Sequence, residues 1–273
     1  QRRTRAQGAR EIGVEPLAAA IMLQRDNDIE STAKRLITGK AFREQLQKMK
    51  VDANAFGVAE ALNGAKDIIA ENVSEDEECR NILRHAFKRE AMITSKVIKS
   101  KAETEEAQKY SDYFNFSEPL ARCSGNRLLA MRRGEADGIL NVHISIVGDY
   151  ALERIRRRYI HGRGQCSQLV GEAIDDSYKR LLTPSMENEF AGTSREKAEA
   201  EAIEVFARNL RQLLLDAPLG QKRVMGVDPG IRTGCKVVML DEQGNLLYHD
   251  VIYTFPPKGD SLKAASAFAT LAR

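Results

Sequence analysis

Near the C-terminus the sequence reads RVMGVDPGIRTGCKVVMLDEQGNLLYHDVI, with Asp228 closing the first apolar run. A carboxylate at a strand end is a hard oxygen ligand for Mg²⁺, and paired Mg²⁺ ions activate a water and stabilise a leaving oxygen. That chemistry needs more than one acid. Asp241 and Asp250 fall in the hairpin that follows and lack the spacing of a ligand set. The residues themselves therefore favour a structural Asp228 that accepts N–H bonds from the PGIRTG loop. Nucleotide binding by the same loop is a further reading. Gly226, Gly230 and Gly234 match neither the dinucleotide fingerprint nor the P-loop.

Arginine offers another chemistry, bidentate pairing with phosphate. LERIRRRYIHGRG carries Arg154, Arg156, Arg157, Arg158 and Arg163, with Tyr159 placed to stack on an unpaired base. Arg132 with Arg133 makes a second cluster, and Arg2, Arg3, Arg5 and Arg10 a third. A solvated helix face with local acidic partners explains any one cluster. Three of them in a near-neutral chain point to nucleic acid. His161 with Cys166, and Cys79 with His85, lack the companion pair of a tetrahedral zinc site, so no metal and no cofactor is expected.

The elements that position these residues follow from periodicity. The 273 residues carry 42 Lys+Arg against 39 Asp+Glu, a net charge of +3 that by itself names no partner. Up to about residue 220 the pattern is helical. PLAAAIMLQ and IESTAKRLI are short apolar-periodic helices. Asp52 is expected to cap a helix burying Phe56, Ala59, Leu62, Ala65 and Ile69, and Ser74 with Glu77 to form a capping box for the next, whose first turn is acidic. ITSKVIKS and GILNVHISIV read as two strands around an aromatic loop and a basic helix ended by Gly134 or Gly138. Pro184 opens a long helical segment that Gly192, Thr193 and Glu196 divide, and DAPLGQ links it to strand-forming sequence from Arg223. There RVMGVD, CKVVML and NLLYHDVIYTF form three antiparallel strands, with Gly244 and Asn245 in the turn, before a helix behind a Ser or Asp cap. This order begins the ribonuclease H fold.

The fold class is therefore mostly α with a C-terminal α/β part. Residues 1–183 are the helical region, 184–222 a long helix and linker, and 223–273 an incomplete ribonuclease H-like sheet. Both chain ends, QRRTRAQGAR and SAFATLAR, read as mid-helix, as in a piece of a longer protein. Four widely spaced cysteines, with no signal peptide or membrane-spanning apolar run, place it in the cytoplasm.

GVDPGIRTGCKVVMLDEQGNLL, preceded by EAIEVFARNLRQLLLDAPLGQKRV, resembles the Tex family of bacterial transcription accessory proteins. YSDYFNFSEPL, NRLLAMRRGEADGIL and AIDDSYKRLLTPSMENE resemble the same family in the same order. The resemblance implies a helical region with a helix-turn-helix, a YqgF-type ribonuclease H-like domain, helix-hairpin-helix modules and an OB-fold that binds RNA. It implies nucleic acid as partner, RNA ahead of DNA, together with the transcription machinery and no membrane. It also implies a YqgF domain that acts as a scaffold with an incomplete acidic set, leaving a resolvase-like nuclease using Asp228 as the enzymatic alternative. A scaffold that binds only proteins is the third reading. One departure is Asn126, where the family has His before the basic helix; Arg127 is retained.

Overall fold

The computed structural model describes residues 3–25, 28–50, 52, 56–230, 233–254 and 259–272. The chain divides into two compact units, residues 1–206 and 207–273. In the first, helices α1 (Arg5–Ile12), α2 (Glu15–Met22), α3 (Ile29–Thr38) and α4 (Lys40–Lys48) precede α5 (Val58–Glu75) and α6 (Glu77–Glu90). A sheet follows, made of β1 (Met92–Val97), β2 (Asn115–Pro119) and β3 (Leu140–Ser145), with α7 (Glu105–Gln108) and α8 (Gly125–Ala136) in its connections. Then come α9 (Tyr150–Tyr159), α10 (Gln165–Asp176) and α11 (Thr183–Leu214), whose residues from 207 on belong to the second unit. The second unit holds β4 (Val224–Asp228), β5 (Cys235–Leu240), β6 (Leu246–Ile252) and α12 (Ser261–Leu271).

Helix α5 is the pillar of the first unit. Its Ala61, Ala65, Ile68, Ile69, Ala70 and Val73 are buried, and α1, α2, α3 and α10 pack around it. The helix begins later than Asp52 predicts. Gly57 is its N-cap, and the Glu60 carboxylate accepts the Gly57 N–H at 2.9 Å. Phe56 precedes the helix and meets the Phe42 ring at 5.6 Å, whereas Ala59 is exposed. The next cap is also displaced. Asp76, not Ser74, accepts the Cys79 N–H at 3.1 Å, and Glu77 and Glu78 supply the acidic first turn of α6 as expected.

The sheet of the first unit is antiparallel in the order β2-β1-β3. Ile93, Ser95, Leu140, Val142 and Ile144 are buried, while Asn141 and His143 alternate to solvent. Strand β2 lies inside the stretch that reads as an aromatic loop. Helix α8 ends at Ala136, and Gly138 with φ +67° supplies the left-handed residue after the Asp137 C-cap. Gly134 lies inside that helix, where a Cβ would sit 2.6 Å from Leu140 Cδ1. Gly134→Ala is expected to cost about 1–3 kcal/mol by overpacking, read as a lower denaturant midpoint at unchanged slope.

Helix α11 runs unbroken through Gly192, so the predicted division does not occur. A glycine costs roughly 1 kcal/mol against alanine in a helix, and Met186, Ala198 and the Phe190–Phe87 ring contact at 5.2 Å hold the segment. Pro184 is accommodated upstream. Residues Ser177–Leu182 form a π-helical turn, and the Thr183 N–H donates to the Tyr178 carbonyl. That wider turn displaces the carbonyls that the Pro184 ring would otherwise strike.

The second unit has antiparallel strand order β4-β5-β6 with a bulge at Met239/Leu240. Val237, Ile252 and Ala264 form its core, with Met225 and Phe268 packed alongside. The turn between β5 and β6 has Gly244 at φ +83° and Asp241 Oδ1 accepting the Gln243 and Asn245 N–H groups. Asp260 caps α12 through the Leu262 N–H at 2.8 Å.

Candidate nucleic-acid interface

Helix α9 turns Ala151, Leu152 and Ile155 into the core and places Arg154, Arg157 and Arg158 on its outer face. That is the separation of neighbours one helical turn apart. The four predicted arginines of this helix do different things. Arg156 is bound to Asp175 of α10, with Nη2 2.7 Å from both carboxylate oxygens and Nε 3.1 Å from Oδ1, and it also reaches Glu153 at 3.0 Å. Arg158 lies 3.5 Å from Asp76, the N-cap of α6. Arg154 and Arg157 are exposed and make no ion pair among the described residues; Arg154 lies 6.0 Å from the Tyr150 ring centre.

Tyr159 is not presented as a stacking ring. It is half-buried against the core, and its hydroxyl donates to Asp76 at 2.6 Å. Burial, and then that hydrogen bond, pushes its pKa up. Burial also pushes the Asp76 carboxyl up, but the Tyr159 hydroxyl, the Cys79 N–H and the Arg158 charge outweigh it and leave the pKa below the usual value. A lowered folded-state pKa stabilises above the unfolded carboxylate pKa and is lost as pH falls through the folded value. The docking of α9 on α6 is therefore expected to weaken below about pH 4. Asp76→Asn should flatten the acid limb of a stability-versus-pH curve.

The turn from α9 to α10 is fixed by a residue that sequence reasoning missed. Gln24, with φ +49°, donates its amide N–H to the Tyr159 carbonyl. Its Oε1 accepts the His161 N–H at 3.0 Å and the Ser167 hydroxyl at 2.9 Å. Nothing in the local sequence marks Gln24 for this, because its partners lie 135 to 143 residues away. Arg163 is exposed in the same turn, ahead of α10, which starts behind Gly164 without a side-chain cap. The arrangement is a cationic corner between two helices, bearing Arg154, Arg157 and Arg163.

The other clusters are separate from it. Arg132 and Arg133 sit on α8, which packs on β3, while α9 packs on α6 and α10. Arg132 bonds Glu135 at 2.7 Å and Arg133 is exposed. At the N-terminus Arg3 pairs with Glu11, and Arg10 with Glu71 and Asn72. Arg2 lies outside the described residues.

In the second unit Asp228 is exposed and 3.3 Å from Lys236 Nζ. Ile231 and Arg232 of the loop expected to bond it lie outside the described residues. Asp228 is in register with Lys236, and Asp250 with Val237, one position on. Alternation along the strand thus puts Asp250 on the opposite face of the sheet. Asp241 is committed to the hairpin turn. Among the described residues no group of three or more His, Cys, Asp or Glu could hold a metal, and Asp241 and Asp250 are not placed to complete a two-ion set with Asp228.

A multi-helix unit followed by strand, strand, strand and helix of a ribonuclease H-like sheet is the class of protein that these elements define. A Tex central region-like family model matches residues 40–206, and a Tex protein YqgF-like domain model matches residues 222–273. The chain is 36% identical over 286 residues to Protein tex of Bordetella pertussis, covering 100% of this chain and 34% of that protein. It is 37% identical over 266 residues to the uncharacterized protein YdcI of Bacillus subtilis, covering 97% and 35%. Similarity extends to S1 RNA-binding domain-containing protein 1 of Homo sapiens, 28% identical over 262 residues, covering 92% and 25%. The chain belongs to the Tex family, and it spans about a third of the length of these bacterial relatives.

Proposed function

We propose that this chain is a nucleic-acid-binding part of a transcription accessory protein, acting by binding and scaffolding rather than by catalysis. The observation that carries the reading is the division of labour on α9. Arg156 and Arg158 hold the helix in place, and Arg154 and Arg157 are left to engage phosphates. Arg163 extends the same charge around the corner, and Arg132 and Arg133 add a second basic position on α8. RNA is favoured over DNA because a relative is named for RNA binding through an S1 domain. Cytoplasmic residence agrees with four cysteines that form no disulfide among the described residues. No described helix is long and apolar enough to cross a membrane.

A nuclease reading would need acids gathered around Asp228, and Asp241 and Asp250 do not supply them. The test is to incubate the chain with labelled single-stranded RNA and duplex DNA in Mg²⁺, and to measure both complex formation and product length. Complexes with full-length RNA, tighter than with DNA, are expected. Shortened products would overturn the non-catalytic reading, and no complex at low salt would overturn the binding one.

A further inference from the structure

We infer that the cleft between α8 and α11 binds a phosphoryl group. The cleft encloses about 260 Å³ and is lined by Leu129, Arg132, Arg133 and Ala136 of α8 and by Arg195 and Glu199 of α11. The four α8 positions are one helix face, and Arg195 and Glu199 are a turn apart on the facing helix. The helices meet closely at one end, where a Cβ on Gly125 would lie 3.4 Å from Ala198.

Three arginines from two helices therefore line one cleft. Their carboxylate partners are Glu135 on Arg132 and Glu199 on Arg195, each within the same helix. The Arg195–Glu199 pair is exposed at both ends, and exposed pairs at this spacing contribute little, so Arg195 is readily drawn to a stronger acceptor. Arg133 has no ion pair among the described residues and is exposed at the rim. Arg132 is mostly covered, its Nη1 donating to Glu135 while Nη2 is buried without a partner. A side-chain rotation that carries Nη2 to an anion in the cleft exchanges an unmet donor for a charge-assisted hydrogen bond. Planar forks from three arginines match the tetrahedral oxygens of phosphate better than a single carboxylate.

This site is distinct from the α9 face and takes in Arg195, which the sequence clusters did not include. A phosphoryl group has two sources, the backbone of RNA or a small phosphate-bearing molecule. The experiment is calorimetric titration of the full chain with inorganic pyrophosphate and, separately, with a single-stranded oligoribonucleotide. Wild type is compared with Arg195→Ala, Arg133→Ala and the double variant Arg154→Ala/Arg157→Ala. Both cleft variants change exposed side chains, and unchanged thermal melting verifies their folding. At least a tenfold loss of affinity in both cleft variants is expected for one or both ligands. A loss for the oligonucleotide alone identifies the RNA backbone as the source, and a loss for pyrophosphate identifies a small molecule. Wild-type affinity in the cleft variants for both ligands, or no binding of either by wild type, overturns the inference. The α9 variant separates the two sites, because it should leave pyrophosphate binding unchanged, and its effect on RNA reports only on the α9 reading.

Discussion

Arg154→Ala/Arg157→Ala is expected to weaken binding of single-stranded RNA by about 25-fold at roughly 0.1 M salt. Each lost phosphate contact forfeits release of about 0.7 counterion, worth about a factor of five at that salt, and two contacts multiply. The loss should be the same for RNAs of different sequence, since phosphate contacts carry no base information. Filter binding at fixed salt with two unrelated RNAs measures it. Arg156→Ala has a different signature. Its guanidinium ties α9 to Asp175 of α10 and pairs with Glu153 on α9 itself, both on a partly exposed surface, so its removal costs stability of about 1 kcal/mol or less and leaves the outer face charged. Equal losses of affinity in Arg156→Ala and in the double variant would mean that α9 is not read through its outer face.

The second large effect is in the core. Phe87 is 1% exposed and meets Phe190 of α11 at 5.2 Å between ring centres. Phe87→Ala should cost about 3–5 kcal/mol, the lost transfer energy plus the cavity left between α6 and α11. For a unit of this size that lowers the midpoint by roughly 6–20 °C, measured by calorimetry. Phe87→Leu keeps most of the volume and should cost well under half as much. A negligible shift in Phe87→Ala would mean that α11 is not held by this contact. The α8–α11 cleft would then lack a fixed wall.

The sequence discloses elements better than it discloses partners. Helices α2 and α3, strands β1 and β3, the hairpin at Gly244 and the Asp260 cap were legible because periodicity, turn chemistry and capping are local. Strand β2 was not, since NFSEP offers a single large apolar residue and a closing proline. Its extended form comes from pairing with β1, which is tertiary. The cap at Asp76 was misread as Ser74 because both suit an N-cap, and the choice is made by contact with Tyr159 and Arg158. Pro184 marks the start of α11 as its sequence suggests, behind a π turn, whereas Gly192 looked like a break that packing carries the helix through.

The arginines show the same limit at the site. Composition located the clusters on α8 and α9, but charge along a sequence does not say which groups are already paired. Asp175 and Asp76, which tie Arg156 and Arg158 to other helices, lie 19 and 82 residues away, beyond any local pattern. The same distance hides Gln24, whose amide sets the α9–α10 corner. Arg195 was invisible because no other arginine lies within ten residues of it in the sequence, and its neighbours on α8 are brought to it by the fold.

The most direct measurement of the central claim is the salt dependence of RNA affinity for the chain and for Arg154→Ala/Arg157→Ala. A linear fall of log affinity with log salt is expected in the wild type, and a slope shallower by about 1.4 in the variant, two contacts at about 0.7 each. An identical slope in the two proteins would contradict it and remove the outer face of α9 from the interface.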